Sequence, residues 1–304
     1  MQPSNVFLQQ IANGITIGMI YALIALGYTL VYGILQLINF AHGEIFMVGA
    51  YIGLITYTLL QTILGTPADM LTTIAILLFA MVGTAALGVA AERFAYRPLR
   101  NSPRLAPLIT AIGISFLLQN AVMLIFGPSD KSFPVIIKSK NYSWGTVTFT
   151  NLQILIALVS IVLMVLLNAF IKKSKLGKAM RALADDPKAA SLVGINPNRI
   201  IAVAFLVGSA LAGAGGVMFG MYYNTINFHD GYLVGLKAFT AAVLGGIGNV
   251  PGAMVGGLLI GILESLGAGY ISSEWKNVFA FFILFLVLLL RPSGLLGSKV
   301  VKKV

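Results

Sequence analysis

Two carboxylates, Glu44 and Glu264, lie within or beside apolar stretches long enough to cross a bilayer. An ionisable side chain is costly there, so each marks a function by default: a polar pathway lining, a gate or an ion-coupling site. Glu44 ends the run Asn39-Phe40-Ala41-His42-Gly43-Glu44. In the first turn of a helix its charge would also suit the positive end of the macrodipole. Glu264 sits near one end of a glycine-rich region, where it could snorkel to an interface or meet a partner. Gln119 and Asn120 interrupt a further apolar stretch. With Asn39, His42 and Glu44 they are candidates for the lining of a path. Other chemistries lack their residues. The only histidines, His42 and His229, stand in no ligand-spaced cluster, so no metal site is expected. No nucleophile has a base and an orienting group beside it. No G-x-x-x-x-G-K-S/T phosphate loop occurs, so the chain is expected to be no enzyme, to hydrolyse no ATP and to hold no cofactor.

Glycine supplies a second signal. Gly14 with Gly18, Gly216 with Gly220, Gly252 with Gly256, and Gly257 with Gly261 form G-x-x-x-G pairs, which let helix backbones approach closely. The run Gly245-Gly246-Ile247-Gly248-Asn249-Val250-Pro251-Gly252 should break a helix, since proline lacks an N–H and glycine tolerates any φ. Broken backbone at membrane depth survives only where protein buries it or it lines a wet cavity. Gly246, Gly248 and Asn249 therefore join the path candidates. A weak internal echo links Ile38-Asn39-Phe40-Ala41-His42-Gly43 to Ile226-Asn227-Phe228-His229-Asp230-Gly231 and hints at repeated halves.

The elements that must position these residues are membrane helices. The 304 residues are 58% hydrophobic and only 10% charged, with no cysteine; a soluble domain carries about 25% charged residues. A soluble fold would expose apolar patches beyond what a monomer tolerates. A soluble enzyme, a nucleic-acid binder and a disulfide scaffold are thereby excluded. The expected fold is all-α: a single polytopic bundle over residues 1–304, of about eight spans of bilayer length, with a glycine-rich broken or re-entrant helix pair. Candidate spans cover 11–35, 44–64, 71–91, 107–126, 152–171, 200–222 and 278–290 with its N-terminal flank.

The net charge of +11 is concentrated in three clusters. These are Arg93, Arg97, Arg100 and Arg104; Lys172, Lys173, Lys175, Lys178, Arg181, Lys188 and Arg199; and Arg291, Lys299, Lys302 and Lys303. They punctuate apolar runs, so the positive-inside rule places them in the cytoplasm and leaves nucleic acid no role. Residues 1–10 carry no charged side chain, which puts the N-terminus outside. Counting spans from there, 236–270 must start and end outside if the basic C-terminus is cytoplasmic. No cleavable leader is evident. A bacterial-type inner membrane is the expected location.

The loop 172–199 is the most specified segment. Asp186 can N-cap a short helix, Pro187 suits its first position, and Gly194 suits the residue after its end. A helix of about seven residues gains little alone, so it should need a partner surface. Ala182, Ala184, Ala189 and Ala190 are small enough to enter a groove, and Leu192 and Val193 offer apolar anchors.

Arg181-Ala182, Ala189-Ala190, Gly194-Ile195 and Leu211-Ala212-Gly213 resemble the LivH-type permeases of branched-chain amino acid ABC importers. Asn39–Glu44 and the Gly245–Gly261 region are similar to that family too, so the likeness covers essentially the whole chain. It implies a permease subunit paired with a LivM-like permease, driven by two cytoplasmic ATPase subunits that bind ATP and Mg, and supplied by an external binding protein. It also implies that 172–199 docks the ATPases through Arg181, Ala182, Asp185, Asp186, Pro187, Ala189, Ala190, Leu192 and Gly194. The binding protein would dock on loops such as 127–150 and 223–235. Urea or short amides are an alternative cargo within the same group. A proton- or sodium-coupled carrier using Glu44 and Glu264 is the alternative from another class.

Overall fold

The computed structural model describes residues 3–66, 68–100, 102–103, 105–291 and 293–297. Arg104, Lys299, Lys302 and Lys303 of the basic clusters, and both chain ends, lie outside these residues. The helices are α1 (Pro3–Leu35), α2 (His42–Leu64), α3 (Met70–Ala91), α4 (Leu105–Phe126), α5 (Asn151–Lys173), α6 (Lys175–Asp185), α7 (Pro187–Leu192), α8 (Pro197–Tyr223), α9 (Asp230–Gly245), α10 (Val250–Tyr270) and α11 (Lys276–Leu290). Short π and 3-10 turns follow α3 (Glu92–Tyr96 and Arg97–Leu99) and precede α11 (Ser273–Trp275), and there are four short strands among the described residues. β1 (Lys131–Ser132) pairs antiparallel with β4 (Thr225–Ile226), and β2 (Asn141–Trp144) forms a hairpin with β3 (Val147–Thr150).

Eight helical segments are long and apolar enough to cross a membrane; α9, with 16 residues, is not among them. The expected spans are all present. The first helix starts earlier than predicted, at Pro3, and the region 236–270 is two helices, the first of which begins at Asp230.

Local chemistry sets the helix ends. Thr150 and Gln153 form a reciprocal capping box at α5, Asp69 caps α3, and Asn196 caps α8 ahead of Pro197. At the other terminus of α2, Gly65 takes the left-handed conformation (φ 58°) that closes a helix.

The central helix is α1. Its residues 20–26 are almost completely buried on every side, as expected of a helix with no lipid-facing surface. It runs antiparallel to α10, and glycines make the contact. A Cβ on Gly14 would lie 2.6 Å from Ile262 Cα, one on Gly18 2.8 Å from Leu258 Cα, and one on Gly257 2.5 Å from Ala22 Cα. Gly252 and Gly256 of α10 serve α9 instead, against Gly245 and Ala241. On α8, Gly216 accommodates the backbone of α2 and Gly220 the ring of Phe133. All four predicted glycine pairs are therefore packing surfaces.

The architecture has two halves of opposite direction. The order α1–α4 is repeated by α8–α11, with α5–α7 inserted between. Exchanging the halves preserves the packing: α1 on α10 becomes α8 on α3, and α2 on α8 becomes α9 on α1. Helix α3 lies against α8 with Ala80, Thr84 and Gly88 facing Gly213 and Ser209, the counterpart of the α1–α10 seam. One end of the bundle carries α6, α7 and the described members of the three basic clusters; we call it the basic end. The β2–β3 hairpin marks the opposite, hairpin end, where the Gln9 side chain is hydrogen bonded to the Thr148 backbone.

Candidate translocation site

The two segments of the sequence echo meet inside the bundle. Each lies between two helices, and each turns the same way. His42 N–H donates to Asn39 O at 3.0 Å, and Asp230 N–H donates to Asn227 O at 3.1 Å. The next bonds match too, from Ile45 N–H to Ala41 O and from Leu233 N–H to His229 O. Helices α2 and α9 then start against one another, with no side chain capping either N-terminus. Only glycines permit this crossing: a Cβ on Gly43 would lie 2.8 Å from Gly235 Cα, and one on Gly235 equally close to Gly43 Cα. The crossing sits at mid-height, because Glu44 meets Ser115, the middle residue of α4.

Glu44 is 1% exposed. Ser115 Oγ donates to its Oε1 at 3.2 Å, while Oε2 lies against Gly231. Glu44 Oε2, His42 Nε2 and Asn39 Nδ2 are buried without a hydrogen-bond partner among the described residues. Buried polar atoms are nearly always paired, so three without a protein partner around the start of α2 depart from the usual pattern. His42 stacks edge-on against Tyr28, ring centroids 4.8 Å apart, in room left by Gly27. Asn39 Oδ1 accepts from Tyr96 OH at 2.6 Å. A cavity of about 310 Å³ adjoins the crossing, lined by Tyr28, Phe40, Phe116, Gln119 and Leu236 among others. Gln119 Nε2 and His229 Nδ1 are 2.7 Å apart beside it. The structure thus places Gln119 on the cavity wall and Glu44 just behind it through Ser115, while His42 turns to Tyr28 and Gly27 and Asn39 to Tyr96.

The other four candidates lie elsewhere. Asn120 is exposed on the outer side of α4 and its amide donates to Phe116 O, because one residue along a helix turns the side chain by about 100°. Gly246, Gly248 and Asn249 lie at the basic end, in the turn between α9 and α10. A helix of 16 residues that begins at mid-height emerges there. The turn is packed by the segment after α11: Leu295 and Leu296 N–H donate to Leu244 and Gly245 O, and Asn249 Nδ2 donates to Leu296 O at 2.5 Å. The helix breaks as predicted, and the break is packed at the basic end by the segment after α11. The discontinuities that do reach mid-height precede His42 and Asp230.

Sequence reasoning also missed an intramembrane cation. Lys237 is buried in α9, and its Nζ lies 2.7 Å from Glu264 Oε1 on α10. Tyr21 OH of α1 donates to Glu264 Oε2 at 2.9 Å. Glu264 therefore neither snorkels nor awaits a partner. The signal was present: Lys237 is the sole lysine or arginine between Arg199 and Lys276. An apolar stretch holding one base and one acid should be read as a pair.

At the basic end, Asp186 caps α7 by accepting from Lys188 N–H at 2.8 Å and Ala189 N–H at 3.0 Å. Pro187 opens the helix and Gly194 follows it at φ +85°. Ahead of it, within 172–199, stands a second helix, α6. Ser174 caps this amphipathic helix, and its Gly177, Met180 and Leu183 are buried. Arg181 ties α6 back to the end of α5 through the Ile171 carbonyl. Ala182 is half-buried, whereas Asp185, Ala189, Leu192 and Val193 are exposed, Leu192 by 89%. Ala190 differs from expectation: at 3% exposure it packs into its own bundle, so its side chain is not on the outer face.

Eight span-length helices, inverted halves and helix starts meeting at mid-height define a multi-pass membrane transport protein. Comparison with known sequences specifies the family. The chain belongs to the family described as "Branched-chain amino acid transport system / permease component", matched over residues 10–288. It is 50% identical to the branched-chain amino acid permease protein BraD of Pseudomonas aeruginosa, over 98% of each chain. It is 48% identical to LivH of Escherichia coli K12, again over 98% of each. LivM of the same bacterium is 26% identical over 92% of this chain and 68% of its own length. No solved structure matches.

Proposed function

We propose that this chain is the LivH-type permease subunit of an ATP-driven importer of branched-chain amino acids. Its full-length likeness to permeases named for that transport carries the reading. Its partners would be a LivM-type permease, two ATPases that bind ATP and Mg, and an external binding protein. The positive-inside rule turns the basic end to the cytoplasm. The first helix then runs inward from an outer N-terminus, and the chain closes with a cytoplasmic C-terminus. The β2–β3 hairpin and the segment before α9 face outward, where a binding protein docks. Residues 172–199, folded as α6 and α7, meet the ATPases.

Transport then proceeds by rigid-body motion. A moved element must be stiff and must contact its driver differently in two states. Helix α7 is short but capped at both ends, and α6 fastens it to α5 and α8. Its displacement tilts α8, and α8 carries the segment that enters α9. The α2–α9 crossing, with its orphaned polar atoms, is the element that gates a path through Asn39, His42, Glu44 and Gln119.

Labelled leucine uptake tests the reading in cells lacking the chain and in the same cells complemented by it. Uptake should be lost and restored. Uptake that never depends on the chain, in cells stripped of other leucine importers, overturns the assignment; restored urea or amide uptake instead names that cargo.

A second outcome follows from α7. Leu192→Glu places a charge on the exposed face without touching the core. Assembly in the membrane should persist, ATP hydrolysis should continue, and leucine uptake should fall at least tenfold. Ala190→Glu should instead reduce the amount of folded protein, because that side chain is buried. Full uptake in Leu192→Glu would remove α7 from the docking surface.

A further inference from the structure

We infer that a vestibule at the hairpin end, between α8, α9 and α11, binds the charged head of a zwitterion: an ammonium on Asp230 and Asp130, a carboxylate on Lys276. The inference rests on the amino-acid permease reading and names a subsite that the reading leaves open. The cavity has a volume of about 220 Å³. It is below the ~300–1,000 Å³ of drug-sized sites, a scale for a small metabolite. Asp130, Asp230, Lys276 and Lys237 all line it, so both signs of charge face one space.

Lys276 forms no direct ion pair with either carboxylate. Among the described residues the only ion pairs within 4.0 Å are Arg100–Glu92 and Lys237–Glu264. Lys237, at the floor, is thus already matched by Glu264. Lys276 shares the cavity with two carboxylates and pairs with neither. Opposite charges that share a partly closed site attract one another. Asn227 holds the acids in place: its backbone N–H donates to Asp230 Oδ2 at 2.7 Å, and its side-chain amide to Asp130 Oδ1 at 2.5 Å. Lys276 rests over the Tyr223 ring, 6.0 Å from its centroid. The carboxylates and the ammonium are therefore positioned apart, with open volume between them.

A ligand bearing one charge would satisfy one wall and leave the other exposed. A zwitterion satisfies both. Phe219, Leu233 and Val234 complete the lining and offer apolar contact to an aliphatic side chain. The cavity at the α2–α9 crossing, by contrast, has tyrosine, serine and glutamine on its walls and no charged side chain. The vestibule is the place where the chain itself reads the α-amino acid head, at the level where α9 begins.

The test uses the assembled importer, with both permeases and the ATPases but without binding protein. Labelled leucine is bound directly and competed by 3-methylbutylamine, which lacks the carboxylate, and by 4-methylpentanoate, which lacks the ammonium. The parent complex should bind leucine at least about tenfold tighter than either competitor, the scale of one lost charge-assisted hydrogen bond. Lys276→Met should weaken leucine and 4-methylpentanoate while leaving the amine unchanged. Asp230→Asn should weaken leucine and the amine while leaving the acid unchanged. Both variants must purify as intact complexes, and both side chains are only half-buried. No direct leucine binding, or equal effects of each variant on all three compounds, overturns the vestibule. If cells still need the chain for leucine uptake, the permease reading survives that result; if they do not, both fall.

Discussion

Lys237→Met alone should strip the permease of about 3–5 kcal/mol of stability, whereas Lys237→Met with Glu264→Leu should recover most of it. The single change leaves a carboxylate in a site where Glu264 is 3% exposed and its base partner is gone. Breaking a buried pair costs this much because the remaining charge keeps its desolvation penalty and loses its compensation. Tyr21 OH still donates to Glu264, but one neutral donor does not replace an ammonium. The double variant removes both penalties together, and buried pairs replaced by apolar side chains are often neutral or stabilising. Thermal unfolding of the purified complex reads the comparison. Stability is the proper measure because Lys237 also lines the vestibule, so uptake would confound two effects. A single variant as stable as the parent would show that the pair is not ionised.

The second large effect concerns the α1–α10 seam. Gly257→Leu should prevent correct assembly, whereas Gly113→Ala should leave it intact or slightly stronger. A Cβ on Gly257 would lie 2.5 Å from both the Cα and N of Ala22. The obstacle is backbone, so no rotamer change relieves it. The helices must separate, and α1 is buried on all sides, so the displacement passes to α8 and α9. Overpacking of a tight core typically costs ~1–3 kcal/mol where side chains can adjust; here they cannot, and the loss should exceed that range. Gly113 has nothing within 4 Å of where its Cβ would be. In a helix, alanine there is worth up to about 1 kcal/mol over glycine. Size-exclusion profiles of the solubilised protein should show aggregation for Gly257→Leu and a single peak for Gly113→Ala. Equal profiles would mean that the glycine seam is not tightly packed.

What sequence alone determined is local or governed by the solvent. Bilayer-length apolar runs must be helices, because unpaired backbone groups are intolerable in lipid. The caps of α7 were legible because Asp186, Pro187 and Gly194 act on backbone within a few residues. The glycine break before Asn249 was legible for the same reason. The echo of Ile38–Gly43 in Ile226–Gly231 was also visible, and it became the pair of helix starts at the centre of the bundle. Tertiary structure decided what sits opposite what. The polar surface of α6 has no bilayer-length signature, and its buried stripe is defined by α5, α1 and α8. The side of α4 decided that Gln119 meets His229 while Asn120 does not. The mid-height origin of α9 moved Gly246 and Gly248 to the end of the bundle. Lys237 and Glu264 are 27 residues apart, and only the α9–α10 turn brings them to 2.7 Å. Periodicity and capping act within a few residues, but charge pairing and cavity walls depend on contacts between distant ones. Those contacts exist only once helices of opposite direction have packed.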